Sequence, residues 1–228
     1  MSDDSMVKQT ELARDEAVEW LGDWHPLAEQ LGCADGLVTL GAVTAELRLA
    51  SVCDQPSLRQ FLCGYQSRIL LPLELPAILR AHAHAARCQT RELIALDQQL
   101  AGEPVLQPFA AASRRVGRSQ LQKLRPLRDE RVVQRYLRAV EGGEAHGWHT
   151  LVYGLTLAVY SLPLRQGLLG YAHHTTRGFI HSAARSLRLS AQQGRGLLAE
   201  LCAGLPGAVE VLLRSQPHNG ELGRQEKP

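Results

Sequence analysis

The chain has 228 residues, enough for one large domain or two small ones, and its formal net charge of +2 by itself marks neither a nucleic-acid binder nor a membrane-surface protein. Leu, Ala, Arg, Gln and Glu recur while alternating β-branched runs are nearly absent, which predicts an all-α fold. Cys33, Cys53, Cys63, Cys88 and Cys202 are widely spaced with no C-x-x-C pair, a pattern of buried thiols in a reducing cytosol rather than of a disulfide framework or zinc site.

The charged N-terminus lacks the basic-then-apolar order of a signal peptide, so a cytoplasmic protein is expected. Residues 1–10 read as a flexible tail. From Glu11, the positions Leu12, Ala17, Val18, Leu21, Trp24 and Leu27 form one helical face. LVTLGAVT has a strand-like pattern, but a lone strand has no partner and the segment reads as helix. Asp54 is suited to cap a helix beginning at Pro56. Pro72 and Pro76 bracket the start of the next helix, and Thr90 caps a short one carrying Leu93, Leu96 and Leu100.

A helix from about Pro108 turns Phe109, Ala112, Val116 and Leu121 or Leu124 inward and ends at Pro126; RDERVVQRYLRAVE follows, up to Gly142-Gly143. Further helices run from about Gly147 to Tyr160, from Pro163 to about Leu189, and from about Gln192 to Leu213 with a break near Gly204 and Pro206. The expected architecture is a single-domain bundle of about eight to ten helices over residues 11–214, followed by a disordered tail at 215–228.

The longest apolar stretch, residues 148–196, is interrupted by Pro163, Arg165, His173, His174 and Arg177, which argues against a bilayer span. Gly117, Gly147, Gly154, Gly167, Gly170, Gly178 and Gly194 each cost a helix interior about 1 kcal/mol relative to Ala, so they point to close helix contacts, in the core or across a dimer. His146 and His149 are three apart, His173 and His174 adjacent, and no i, i+4 pair or suitably spaced carboxylate accompanies them. They read as core or interface histidines, with an intersubunit metal site as the alternative. No nucleophile elbow, P-loop or dinucleotide fingerprint is present, so neither catalytic residues, a cofactor nor a bound metal is expected. Basic residues cluster from Arg114 to Arg138. They suit a solvated face or an acidic protein partner; a nucleic-acid-binding helical regulator is the alternative.

Three stretches then fall into a familiar order. LELPAILRAHAHA holds the acidic-Leu-Pro helix start at Glu74, Leu75 and Pro76. LDQQL and FAAASRRVGRSQL place Asp97, Ser113, Gly117 and Arg118. WHTLVYG gives His149, Val152 and Gly154, ahead of YAHHTTRGFIHSAARSLRLSAQQGRGLL. Over about residues 50–213 the succession resembles the urease accessory protein UreF family. The resemblance implies an all-α homodimer and a non-enzymatic chaperone of nickel insertion that bridges a UreD/UreH-type protein and a UreG-type GTPase and presents urease apoprotein to both. From the residues themselves, neither a nucleic-acid nor a membrane partner is expected. On that basis Arg114, Arg118, Arg185, Gln193 and Gly194 are expected to meet partners, and His149, Gly154, Tyr171 and His173 to serve core or dimer packing. The chain departs from the family pattern at Arg188, Ser190 and Ala191, where Pro, Gly and Gln are usual, and at Ala110, where Arg is common.

Overall fold

The computed structural model describes residues 51–215, with Ala45 alone before them. The expectations for residues 1–10, 11–27, 37–44 and 216–228 lie outside the described residues. The described chain is all-α: α1 (Gln55–Tyr65), a π-helical segment (Gln66–Glu74), α2 (Leu75–Ala86), α3 (Thr90–Ala101), a 3-10 turn (Pro104–Phe109), α4 (Ala110–Lys123), α5 (Arg131–Glu141), α6 (His149–Val159), α7 (Leu164–Ser186), α8 (Ala191–Cys202) and α9 (Leu205–Arg214). One hydrophobic cluster runs from Leu58 to Val209 and makes this a single domain.

Asp54 caps α1 as its sequence suggests, accepting from the Ser57 N–H at 2.9 Å while Ser57 Oγ accepts from the Asp54 N–H at 3.0 Å. Pro72 does not separate two helices. The backbone stays right-handed at Tyr65 and Leu75, and the Leu75 N–H reaches back five residues to the Leu70 carbonyl. Proline has no N–H and its ring crowds the carbonyl four residues earlier; widening the turn to i→i+5 bonds carries the helix past it. Thr90 is likewise not a cap: it is the first helical residue of α3, and Gln89 in the cap position makes no capping bond, its side chain pairing instead with His84 Nδ1 at 3.0 Å.

Four helices end in the same left-handed turn. After α7, for example, the Leu189 N–H returns to the Ala184 carbonyl and Arg188 adopts φ 53°. Cys88, Ser161 and Gly143 hold the equivalent positions after α2, α6 and α5, so three of these turns are built without glycine. The thiols among the described residues differ from expectation as well: Cys53, Cys63 and Cys88 are exposed and Cys202 is partly buried, its pKa pushed up by burial to about 11.

α2 and α6 form the centre of the bundle. They cross at Gly154, where a methyl group would sit 2.5 Å from the Ile78 carbonyl oxygen and 2.9 Å from Ala81 Cβ. α7 lies across them, and its Phe179 ring packs edge-on against Tyr65 and Phe61 at 4.9 and 5.7 Å between centroids. α8 and α9 pack on the outer side of α7, tied to the body by the exposed ion pairs Arg59–Glu200 and Arg165–Glu210. Together they are apolar and long enough, by length and composition, to cross a membrane, yet they pass Arg195, Glu200 and Glu210 on the way. The close glycine contacts at Gly117, Gly154 and Gly167 are all met by this chain's own atoms, so they serve the core.

Candidate functional site

The residues singled out in α3, α4 and the start of α6 converge on one turn, residues 144–149. Asp97, on the inner face of α3, is fully buried, and every bond it makes is accepted. Its Oδ1 takes the His146 N–H at 2.6 Å; its Oδ2 takes the Tyr136 hydroxyl at 2.5 Å, the Gly147 N–H at 2.9 Å and the Trp148 N–H at 3.4 Å. These N–H groups precede α6 or open its first turn and have no partner within the helix, so the carboxylate satisfies donors that would otherwise be orphaned in the core. Burial first, and then the Asp97 charge and hydrogen bond, hold the Tyr136 hydroxyl well above the usual phenol range.

α4 grips the same turn from the other side. Ser113 Oγ accepts the His149 N–H at 3.3 Å, the Arg118 guanidinium donates to the His146 carbonyl at 3.1 Å, and the Arg114 guanidinium stands 4.9 Å from the Trp148 ring centroid. Gly117 lets the two backbones touch: a methyl there would fall 2.1 Å from the Gly147 carbonyl oxygen and 2.7 Å from the His149 nitrogen. Gly147 itself adopts φ +74°, where a side chain would be strained. The arrangement is a polar clamp that fixes where α6 begins.

The clamp closes over a small cavity. The cavity beneath it, lined by residues such as Glu74, Ser113, Trp148 and Thr150, has a volume of about 10 Å³, room for roughly one water molecule. Among the described residues no three His, Cys, Asp or Glu side chains lie together in a way that could hold a metal ion.

The sequence model of the UreF family matches residues 52–202, about two-thirds of the chain and the whole of the clamp. This chain belongs to the urease accessory protein UreF family. No curated protein matches it. In this UreF protein the family-like residues Asp97, Ser113, Gly117, Arg118 and His149 are therefore a contiguous structural unit rather than scattered surface marks.

The structure separates the remaining expected site residues by environment. Arg114 is half-buried and Arg118 exposed, both committed on one side to the clamp. Arg185 and Gln193 are exposed at the junction of α7 and α8; Gly194 is half-buried, with ordinary space toward Ile180. The Gln193 side chain caps α8, its Oε1 accepting from the Ser190 N–H at 2.8 Å while Ser190 Oγ accepts from the Gln193 N–H. His149 and Tyr171 are buried, their rings 5.8 Å apart with Tyr153 between 5 and 7 Å from each, whereas His173 is exposed on α7.

The sequence pointed neither to the role of Tyr136 nor to the burial of Glu74. Tyr136 is the aromatic residue inside an otherwise aliphatic inner face of α5, and that isolation was its signal. Glu74, 3 % exposed in the π-segment, accepts the Tyr65 hydroxyl at 2.5 Å and faces Tyr171. A glutamate beside Leu-Pro gave no sign of burial.

Proposed function

We propose that this UreF protein is a non-enzymatic chaperone of urease maturation that works as a cytoplasmic homodimer. It bridges a UreD/UreH-type protein and a UreG-type GTPase and presents urease apoprotein to both for nickel insertion. The family match over residues 52–202 carries the reading. The mechanism is binding: the protein stabilises one arrangement of its partners and shifts them only as far as its differential affinity for that arrangement allows. Any GTP hydrolysis belongs to the GTPase.

Arg114, Arg118 and Arg185 supply charge-assisted contacts to those partners, and the α7–α8 corner at Gln193 and Gly194 supplies shape, with the Gln193 side-chain oxygen already accepting within its own helix. His149, Gly154 and Tyr171 hold the core, and exposed His173 lies on the dimer face. A pull-down of the purified full chain with the cognate UreD-type and UreG-type proteins tests this. A complex with each is expected; recovery of neither would overturn the assignment.

A further inference from the structure

We propose that the outward face of α5 is a docking row for an acidic helix of a partner protein. It goes beyond the chaperone reading, because it specifies a partner chemistry whichever protein supplies it. α5 buries Val132, Val133, Tyr136, Leu137, Ala139 and Val140. Its exposed side carries Arg131, Arg135 and Arg138, spaced four and three residues apart and so aligned on one face. The row spans about 10 Å at 1.5 Å per residue. Arg128 is exposed in the turn just before it, and Arg115, Arg118 and Lys123 on α4 are exposed as well.

The charge is segregated. Residues 114–141 hold nine basic and three acidic side chains, a net of +6 in a chain whose total is +2. Of the three acids, Glu141 is engaged by Arg125, and Asp129 and Glu130 sit in the turn before α5. Among the described residues, Arg128, Arg131, Arg135 and Arg138 have no acidic partner; Arg138 only donates back to the Gln134 carbonyl. Eight of the nine basic groups are arginine, whose planar fork matches a carboxylate at two points, where lysine offers a single point charge.

Two observations favour an acidic protein over a nucleic acid. The exposed faces of α4 and α5 carry no aromatic ring on which a base could stack, and Asp129 and Glu130 interrupt any continuous phosphate track. The row is also held rigid from behind, because Tyr136 on the opposite side of α5 is bonded to Asp97. A partner helix with glutamates at i, i+4 and i+7 presents its carboxylates at the same intervals.

Fluorescence anisotropy with the full chain tests the assignment. The probes are a labelled 18-residue Ala/Gln helical peptide with Glu at i, i+4, i+7 and i+11, an isomer with the same Glu residues spread around the helix, and a 20-base-pair DNA duplex. Saturable, salt-sensitive binding of the first peptide is expected, at least fivefold tighter than of its isomer. The R131E/R135E/R138E variant should lose tenfold or more in affinity with an unchanged circular dichroism spectrum, and a Lys-faced version of the peptide should bind that variant. If the reversed variant does not fold, R131Q/R135Q/R138Q takes its place and the same loss is expected. Absence of binding by the unaltered protein, equal affinity for the isomer, or unchanged affinity in the folded variant would each overturn the proposal. Tighter binding of the duplex, lost in the same variant, would overturn it in favour of nucleic acid. A failed urease pull-down leaves these outcomes untouched, so the two readings fail separately.

Discussion

Replacing Asp97 with Asn is the sharpest probe of the clamp. The side chain keeps its shape, but one acceptor oxygen becomes an NH2 donor. With the remaining oxygen placed toward Tyr136, Gly147 and Trp148, the new NH2 faces the His146 N–H, whose acceptor had been 2.6 Å away. One orphaned backbone N–H costs about 1–3 kcal/mol, and three bonds that lose their ionic acceptor weaken by about 1 kcal/mol each. Relief from burying a charge offsets part of this, leaving a net loss of about 3 kcal/mol, a large share of the roughly 5–15 kcal/mol by which domains are stable. Tyr136→Phe, which leaves the carboxylate its three N–H donors, should cost about 1 kcal/mol. Urea unfolding followed by far-UV circular dichroism measures both. Asp97→Asn unfolding within 1 kcal/mol of the natural protein, or Tyr136→Phe costing more than Asp97→Asn, would refute the reasoning.

The backbone contact at Gly117 makes Gly117→Ala destabilising by about 3 kcal/mol, whereas Gly196→Ala, in an exposed helix with open space around it, should stabilise by about 0.5–1 kcal/mol; the urea midpoints should move in opposite directions. Arg188→Gly relieves a left-handed side chain and should add about 1 kcal/mol, seen as a rise of roughly 2–4 °C in Tm; an unchanged or lowered Tm counts against the turn assignment. Burial raises the pKa of Tyr65, Tyr136, Tyr153 and Tyr171, so the fold favours their neutral form. That stability is complete below the ordinary phenol pKa of about 10 and is lost as pH rises toward the folded values, at about 1.4 kcal/mol per pH unit for each ring. Urea midpoints at pH 8, 10 and 11 should therefore fall steeply after the second point, and a flat profile would contradict the burial of these hydroxyls.

Much of the fold was legible because it rests on local chemistry. Asp54, Pro56 and Ser57 cap a helix through bonds three residues long, and the apolar stripe of α5 is visible in RVVQRYLRAVE alone. Glycine spacing pointed to the close contacts at Gly117, Gly154 and Gly167, though Gly147 lies in a turn and Gly194 has ordinary space, and it did not show what lies across them: Gly154 meets Ile78, a residue 76 positions earlier. Pro72 misled because the usual rule assumes an α-ladder, and the chain adopted a wider one. At the clamp, resemblance supplied Asp97, Ser113, Gly117 and Arg118 without their purpose, since the partners of Asp97 lie 39 to 51 residues away in sequence. Arg114 and Arg118 looked like free surface charge for the same reason; their second job, holding Trp148 and His146, depends on a turn that follows about 30 residues later.

The separation in sequence between Asp97 and its donors also sets an order of events as the chain is made. The carboxylate is synthesised first, the Tyr136 hydroxyl follows 39 residues later, and the backbone amides of 146–148 arrive 49 to 51 residues later. At about 5–20 residues per second, the nascent protein carries this acceptor for roughly 3–10 s before its last donor exists. Until then α3 and α4 have no finished inner surface to close on, and α6 has no fixed starting point. A protein of a chaperone family thus has its own vulnerable interval during synthesis, ended by the arrival of a single turn.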